Sequence, residues 1–163
     1  MSQFDYVKAR REDVAPIPEK HAALVHKIIR TYTRFNVWVF KKSGGRLMKT
    51  WPGGYPICLV ETTGARSGAK REIALIHVPK GDDILLVASE GGMNRHPSWY
   101  YNITRHPDIT ITANGSTRAM HARRISAEEK RELWPLITSV YPDYDEYQAR
   151  TDRDIPVFQC TPR

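Results

Sequence analysis

The spacing of apolar residues changes once along this chain, and the change divides it. From residue 19 to about 42, Leu24, Ile28, Tyr32, Phe35 and Val39 fall at i, i+4, i+8, i+11 and i+15, the single stripe of an amphipathic N-terminal helix that Gly44-Gly45 ends. From Pro56 the pattern becomes that of strands, with short apolar runs at 57–60, 73–76 and 84–88 and a turn at Lys80-Gly81-Asp82-Asp83. His96-Pro97-Ser98-Trp99-Tyr100-Tyr101-Asn102 predicts a short helix with Pro97 at its first position, closed by His106-Pro107. Strands at 109–113 and 118–125 flank an Asn114-Gly115 turn. Ser126-Ala127-Glu128-Glu129 is a capping-box sequence opening a helix through Val140, and Pro135 inside it predicts a kink or a break. A last strand covers 155–160. Antiparallel strands interrupted by short helices point to a mainly β fold with flanking helices, a closed or split β-barrel, rather than a βαβ sheet. Residues 1–18, polar and ending in Pro16 and Pro18, read as a loose arm, and 19–163 as one domain.

Composition narrows the partners. At 163 residues and 40% hydrophobic content the chain can bury a full core. A formal charge of +7 suits an anionic partner: nucleic acid, an acidic membrane surface or an anionic small molecule. No recognised nucleic-acid motif is present, so no nucleic-acid partner is expected. The start of the chain lacks the apolar stretch of a signal peptide, and no segment has 18 uninterrupted apolar residues. A cytoplasmic protein with Cys58 and Cys160 reduced is the simplest assignment. The N-terminal helix carries Lys27, Arg30, Arg34, Lys41 and Lys42 beside Trp38 and Phe40. It can pack its stripe on its own domain, or residues 19–42 can lie peripherally on an anionic membrane at the inner face of the cell.

Three stretches could converge on a ligand. The first, Thr62 to Arg71, joins two strands; Gly64 and Gly68 permit sharp turns, Ser67 adds a hydroxyl, and Arg66, Lys70 and Arg71 add cations fit for a phosphate or a polyanionic tail. It also reads as an ordinary hairpin loop with solvated charges. The second is Ala88-Ser89-Glu90-Gly91-Gly92 followed by Pro97-Ser98-Trp99-Tyr100, where a strand end and a helix N-terminus offer backbone donors. The third is Tyr141, Tyr144 and Tyr147, which share one face if Pro142 opens a helical turn, as half-buried core or as an aromatic wall. The six histidines form no metal-binding motif, and no nucleophile–base arrangement stands out.

Four blocks in order carry a resemblance: Thr-Thr-Gly-Ala-Arg-Ser-Gly (62–68), Val-Ala-Ser-Glu-Gly-Gly (87–92), His-Pro-Ser-Trp-Tyr-Tyr-Asn (96–102), and Trp134-Pro135 with Val-Tyr-Pro-x-Tyr-x-x-Tyr-Gln (140–148). From about Asn36 to Pro162 the chain resembles the deazaflavin-dependent nitroreductases known from actinobacteria, split β-barrels that use coenzyme F420. The resemblance implies an F420-dependent oxidoreductase delivering a hydride from the reduced deazaflavin to a small electron-poor acceptor: a quinone, an activated enone or a nitroaromatic. It implies cofactor contacts at Ala65, Arg66, Ser67, Arg71, Glu72, Ile73, Ala74, Leu75, Ile76, Val87, Ala88, Ser89, Glu90, Ser98, Trp99, Tyr100, Tyr101, Asn102 and Tyr144. Tyr141, Tyr144, Tyr147 and Ile76 match the acceptor pocket, and Tyr144 or Ser89 would hydrogen-bond the acceptor oxygen or supply the proton. Glu90 stands where some members have Lys, and Ile76 where some have Tyr. The alternatives are the same barrel using FMN, and a non-catalytic fatty-acid or isoprenoid carrier.

Overall fold

A computed structural model describes residues 4–14, 31, 35, 37–43 and 50–163. Its described strands are β1 (Thr50–Trp51), β2 (Tyr55–Thr63), β3 (Lys70–Ile76), β4 (Val78–Lys80), β5 (Asp83–Val87), β6 (Asp108–Ala113), β7 (Ser116–Arg124) and β8 (Val157–Pro162). Three helices interleave with them: α1 (Ser98–Arg105), α2 (Ala127–Val140) and α3 (Asp143–Arg150). All pairings are antiparallel in the order β1-β2-β6-β7-β8-β5-β4, with β3 on the other side of β2. The sheet therefore curls, and β3 comes beside β5 without pairing to it. That unclosed seam is the split of the barrel.

Strand alternation sorts the apolar residues onto two faces. Cys58, Val60, Ile84, Leu86, Ile111, Met120 and Phe158 fill the interior, closed at one end by Trp99 and Ile103 of α1. Leu85, Val87 and Val157 point outward and are covered by Trp134 and Ile137 of α2 and by Tyr141 and Tyr144. Both cysteines are fully buried free thiols, and burial pushes the Cys58 thiol up to about 12. The Asn114-Gly115 turn forms as expected, with φ of 51° and 78°, the two left-handed residues that match a hairpin's twist.

The capping box is present in both directions: Glu129 N–H donates to Ser126 Oγ at 3.2 Å, and Ser126 N–H to Glu129 Oε2 at 2.8 Å. Pro135 does not break α2, one of the two outcomes its position predicts. It lies on the exposed side, so the carbonyl it strands faces water, while Trp134 and Ile137 on either side are buried and hold the helix down. Pro97 precedes α1 as its N-cap instead of opening it as first residue.

Residues 4–14, part of the stretch read as a loose arm, are tied down. Asp145 accepts from Lys8 N–H (2.9 Å), Ala9 N–H (2.6 Å) and Trp134 Nε1 (2.9 Å), Arg11 pairs with Asp152, and Tyr6 stands edge-on to Trp134 at 5.3 Å. Of the N-terminal helix, residues 37–42 are helical, and Leu24, Ile28 and Tyr32 lie outside the described residues. Among the described residues of this helix Phe40 is the buried one; of the proposed stripe Val39 is half-buried, while Phe35, like Trp38, is exposed (55% and 58%). Lys41 donates to Glu72 of β3 at 2.7 Å, which fixes this helix end over the outer face of the sheet. Beside it an open cleft of about 590 Å³ runs between Phe40, Leu59, Glu61 and Thr112. No helix among the described residues is long and apolar enough to cross a membrane.

Beneath the arm lies Lys130, only 2% exposed. Its ammonium donates to Gln148 Oε1 at 2.7 Å and Asp154 Oδ1 at 2.5 Å, and sits 5.0–5.5 Å from the rings of Trp134, Tyr6 and Phe4. Burial pushes its pKa down to about 8. Below pH 8 the folded state carries the full cost of this charge. Between there and the unfolded value of about 10.4 the folded protein binds fewer protons, so this group's contribution rises with pH, by at most about 3 kcal/mol. Tyr6 and Cys58, pushed upward, act the opposite way: their contribution fades above their unfolded pKa values. Urea unfolding of wild type and Lys130→Met from pH 7 to 10 isolates the lysine. The wild type should gain stability relative to the variant as pH rises, and a flat difference would refute the buried charge.

Candidate active site

The hairpin loop between β2 and β3 has a fixed frame. Register runs from Ile57↔Ile76 to Thr63↔Lys70, and the loop closes with Gly64 N–H to Ala69 O and Gly68 N–H to Gly64 O, both 2.8 Å. A Cβ on Gly64 would lie 2.7 Å from Ser67 Oγ, which can rotate away, and 3.1 Å from the Ala69 carbonyl oxygen, so the turn is tight at this position. Asn102 of α1 pins the loop by accepting from Ala65 N–H (2.9 Å) and donating to Thr62 Oγ1 (3.3 Å). Lys70 is paired with Glu61 at 2.7 Å. Arg66 and Arg71 are exposed, and neither guanidinium has a hydrogen-bond or ion-pair partner among the described residues.

The second stretch is a turn built from left-handed residues. Glu90, Gly91 and Gly92 have φ of 47°, 66° and 77°. Gly92 is obligatory for a second reason, since a Cβ would meet the Tyr147 carbonyl oxygen at 2.6 Å. The turn's carbonyls are taken by two arginines. Arg153 donates to Ala88 O (3.0 Å), Ser89 O (2.8 Å) and Met93 O (2.8 Å), and Arg150 to Gly91 O (2.7 Å). The N–H groups of Ser89, Glu90 and Gly91 have no acceptor among the described residues. Glu90 lies 3.9 Å from Arg95 and in the field of Arg153, so its negative charge is offset locally.

Arg153 also meets His96 Nδ1 at 3.2 Å, and an arginine only donates, so this nitrogen is the acceptor and the imidazole is neutral. Burial, Arg153 and Arg124 all lower the His96 pKa. The imidazole stacks on Tyr100 at 4.1 Å, and Tyr101, 53% exposed, stands edge-on to Tyr100 at 5.2 Å. Arg150 covers the Tyr147 ring at 5.5 Å, with its Nε buried and unbonded.

The three tyrosines do share a face of α3 and its entry. Tyr141 and Tyr144 are 6% and 4% exposed, packed edge to ring at 4.9 Å, with Tyr55 against Tyr141 at 4.8 Å. Tyr141 and Tyr147 share a hydroxyl–hydroxyl bond of 3.2 Å. The Tyr144 hydroxyl has no hydrogen-bond partner among the described residues, and burial, then Cys58 and Tyr147, raise its pKa, so it stays a neutral donor.

The fold thus brings the turn, α1, the hairpin loop and the tyrosines around the seam between β3 and β5. Some residues named from sequence are divided by strand alternation: Ile73 and Leu75 pack on the interior, while Ile76 joins the tyrosine cluster and Glu72 is held outward by Lys41. The side chains of Trp99, Val87 and Ala88 are committed to the core, and the Ala88 backbone is already bonded through its N–H to Pro156 O and its carbonyl to Arg153. Ser98 is exposed, and Ala65, Ala74 and Ser89 are half-buried. Arg153 and Arg150 are the parts that sequence reasoning missed; they lie in no recognisable motif, and their partners are 57–65 residues away.

Comparison with known proteins gives a consistent set. The family model described as F420H(2)-dependent quinone reductase matches residues 32–162. A Mycobacterium tuberculosis protein named F420H(2)-dependent quinone reductase is 33% identical over 128 residues, 77% of this chain and 86% of its own. The solved F420-H2 dependent reductase FDR-A superposes with a TM-score of 0.61 at 42% identity, over 64% of this chain and 93% of that one. A structure described as a domain-swapped dimer superposes with a TM-score of 0.62 at 38% identity, over 76% and 96%.

Proposed function

The chain belongs to the F420H(2)-dependent quinone reductase family, and from that premise we propose that it reduces a quinone at the seam between β3 and β5. It is an F420H2-dependent oxidoreductase; the deazaflavin, when bound, supplies the hydride. The residues present fit such a group. Its tail is anionic, and Arg66 in the loop that Asn102 holds in place and Arg71 at the start of β3 have guanidiniums left without partners. That pair of free guanidiniums is the observation that carries the assignment. The unpaired N–H groups of Ser89 to Gly91 suit the oxygen-rich part of the ligand, and Tyr100 and Tyr101 suit a flat ring.

For the acceptor, Tyr55, Ile76, Tyr141 and Tyr147 form an apolar wall that excludes water. The Tyr144 hydroxyl, neutral and unpartnered, would donate to the acceptor oxygen that gains charge. Ser89 is the second candidate for that donation. Activated enones and nitroaromatics share the flat, electron-poor character that this wall accepts. The experiment is to mix the protein with reduced F420 and a panel of quinones, enones and nitroaromatics, following cofactor absorbance, with FMN titrated in parallel. Oxidation of F420H2 by quinones and weaker binding of FMN are expected; tighter FMN binding, or no quinone turnover with F420H2 bound, would refute the reading.

We further infer a peripheral membrane contact, supported by the exposed Phe35 and Trp38 rings, stacked at 6.3 Å beside Lys41 and Lys42. The wild type should co-sediment with anionic vesicles at low salt and release at high salt. Equal sedimentation of a Phe35→Ala/Trp38→Ala variant would retire the idea.

A further inference from the structure

We propose that Arg153 is a positioning residue for cofactor binding: it holds the β5 end, the left-handed turn and the aromatic edge of α1 in one arrangement without itself meeting the cofactor. The inference rests on the cofactor assignment above. Its support is the geometry of one guanidinium. Nε binds Met93 O, Nη2 binds Ala88 O and Ser89 O, and Nη1 binds His96 Nδ1, at 2.8–3.2 Å throughout. These four acceptors belong to three consecutive pieces of the candidate site: strand end, turn and helix entry. Nothing nearer in sequence does this work, because the turn's own backbone bonds are only Gly92 N–H to Ser89 O and Met93 N–H to Glu90 O.

Turning the Ala88 and Ser89 carbonyls toward Arg153 turns the N–H groups of Ser89 and Glu90, which share their peptide planes, the opposite way and leaves those donors free. Left-handed φ at Glu90, a non-glycine residue, is strained, and Arg153 on the Ser89 carbonyl before it, with Arg150 on the Gly91 carbonyl after it, offsets that strain. His96 extends the reach: held as an acceptor by Arg153, it stacks on Tyr100, which in turn meets Tyr101. Only a planar fork of donors satisfies acceptors in these directions; lysine carries a charge but not the fork.

The test compares wild type, Arg153→Lys, Arg153→Gln and Arg153→Ala, each verified as folded by near-UV circular dichroism. F420 dissociation constants come from fluorescence titration, and His96 is titrated by NMR without cofactor. Both Arg153→Lys and Arg153→Gln should bind F420 about 10-fold or more weakly. In Arg153→Gln the His96 pKa should rise, since an adjacent cation is gone and the Nδ1 lone pair is released. Millimolar guanidinium should restore part of the F420 affinity of Arg153→Ala and leave wild type unchanged. Wild-type F420 affinity in the folded Lys and Gln variants would overturn this inference alone. If the wild type itself does not take up F420, the cofactor assignment falls and this inference with it.

Discussion

Alanine at Arg66 or Arg71 should weaken F420 binding by roughly 1.5–3 kcal/mol, about 10- to 150-fold, and alanine at both should cost more than either alone. Both guanidiniums are exposed and unpaired, so neither contributes an ion pair to the fold that its removal would break. Melting temperature should therefore stay within the range of ordinary surface substitutions. Lys70 is the internal control: the same loop and charge, but neutralised by Glu61 at 2.7 Å, so Lys70→Ala should change affinity far less. Calorimetry on the three variants at fixed ionic strength checks this. Equal losses for all three would mean a diffuse field effect, and unchanged affinity at Arg66 and Arg71 would remove the loop from the site.

Phenylalanine at Tyr144 should lower turnover about 10-fold or more, equivalent to roughly 1.4 kcal/mol in the barrier, with little loss of cofactor affinity. The residue is as buried as any core aromatic, so burial cannot decide whether it acts in the reaction. Its hydroxyl can. A phenol serving only the core is normally bonded, and leaving it unbonded costs stability. Tyr144 makes no such bond and its oxygen is not sealed from solvent, whereas Tyr141 and Tyr147 satisfy each other at 3.2 Å. Tyr144→Phe should then unfold at the same or a higher temperature than wild type. Tyr147→Phe should lose some stability and change the choice of acceptor more than the best rate. Because the folded pKa of Tyr144 is raised, its proton persists beyond pH 10, and activity should show no alkaline loss from this group. Normal turnover in Tyr144→Phe would leave only Ser89 as the donor.

Local chemistry was legible in the sequence where a few adjacent residues decide it. Asn114-Gly115 specifies its own turn, Ser126 and Glu129 cap α2 reciprocally, and Gly64 to Ala69 form a loop between two strands. What stayed hidden depends on partners far along the chain. Asn102 reads as a polar residue at the end of a short helix until it meets Ala65, 37 positions away. Asp145 gives no hint that it gathers residues 8 and 9 to α3, and a polar, proline-flanked start reads as unstructured without it. Pro135 leaves α2 unbroken because propensity counts the lost hydrogen bond but not the burial of Trp134 and Ile137 beside it. Phe40 displaced Phe35 from the core because helical spacing gives a periodicity, not the direction from which a sheet will approach.

The closeness of Gly92 to the Tyr147 carbonyl bears on how such a protein can diversify. A methyl group at position 92 has no room unless the backbone of α3 retreats, and that backbone carries Tyr144 and Tyr147, proposed above for the acceptor. Lineages altering their acceptor range are thus steered toward exchanging side chains at 141, 144 and 147, since moving α3 demands a simultaneous remodelling of the turn. In a mutational library the two segments should behave as one inherited unit: changes at 92 survive only together with changes along 143–150, while the exposed loop bearing Arg66 varies on its own.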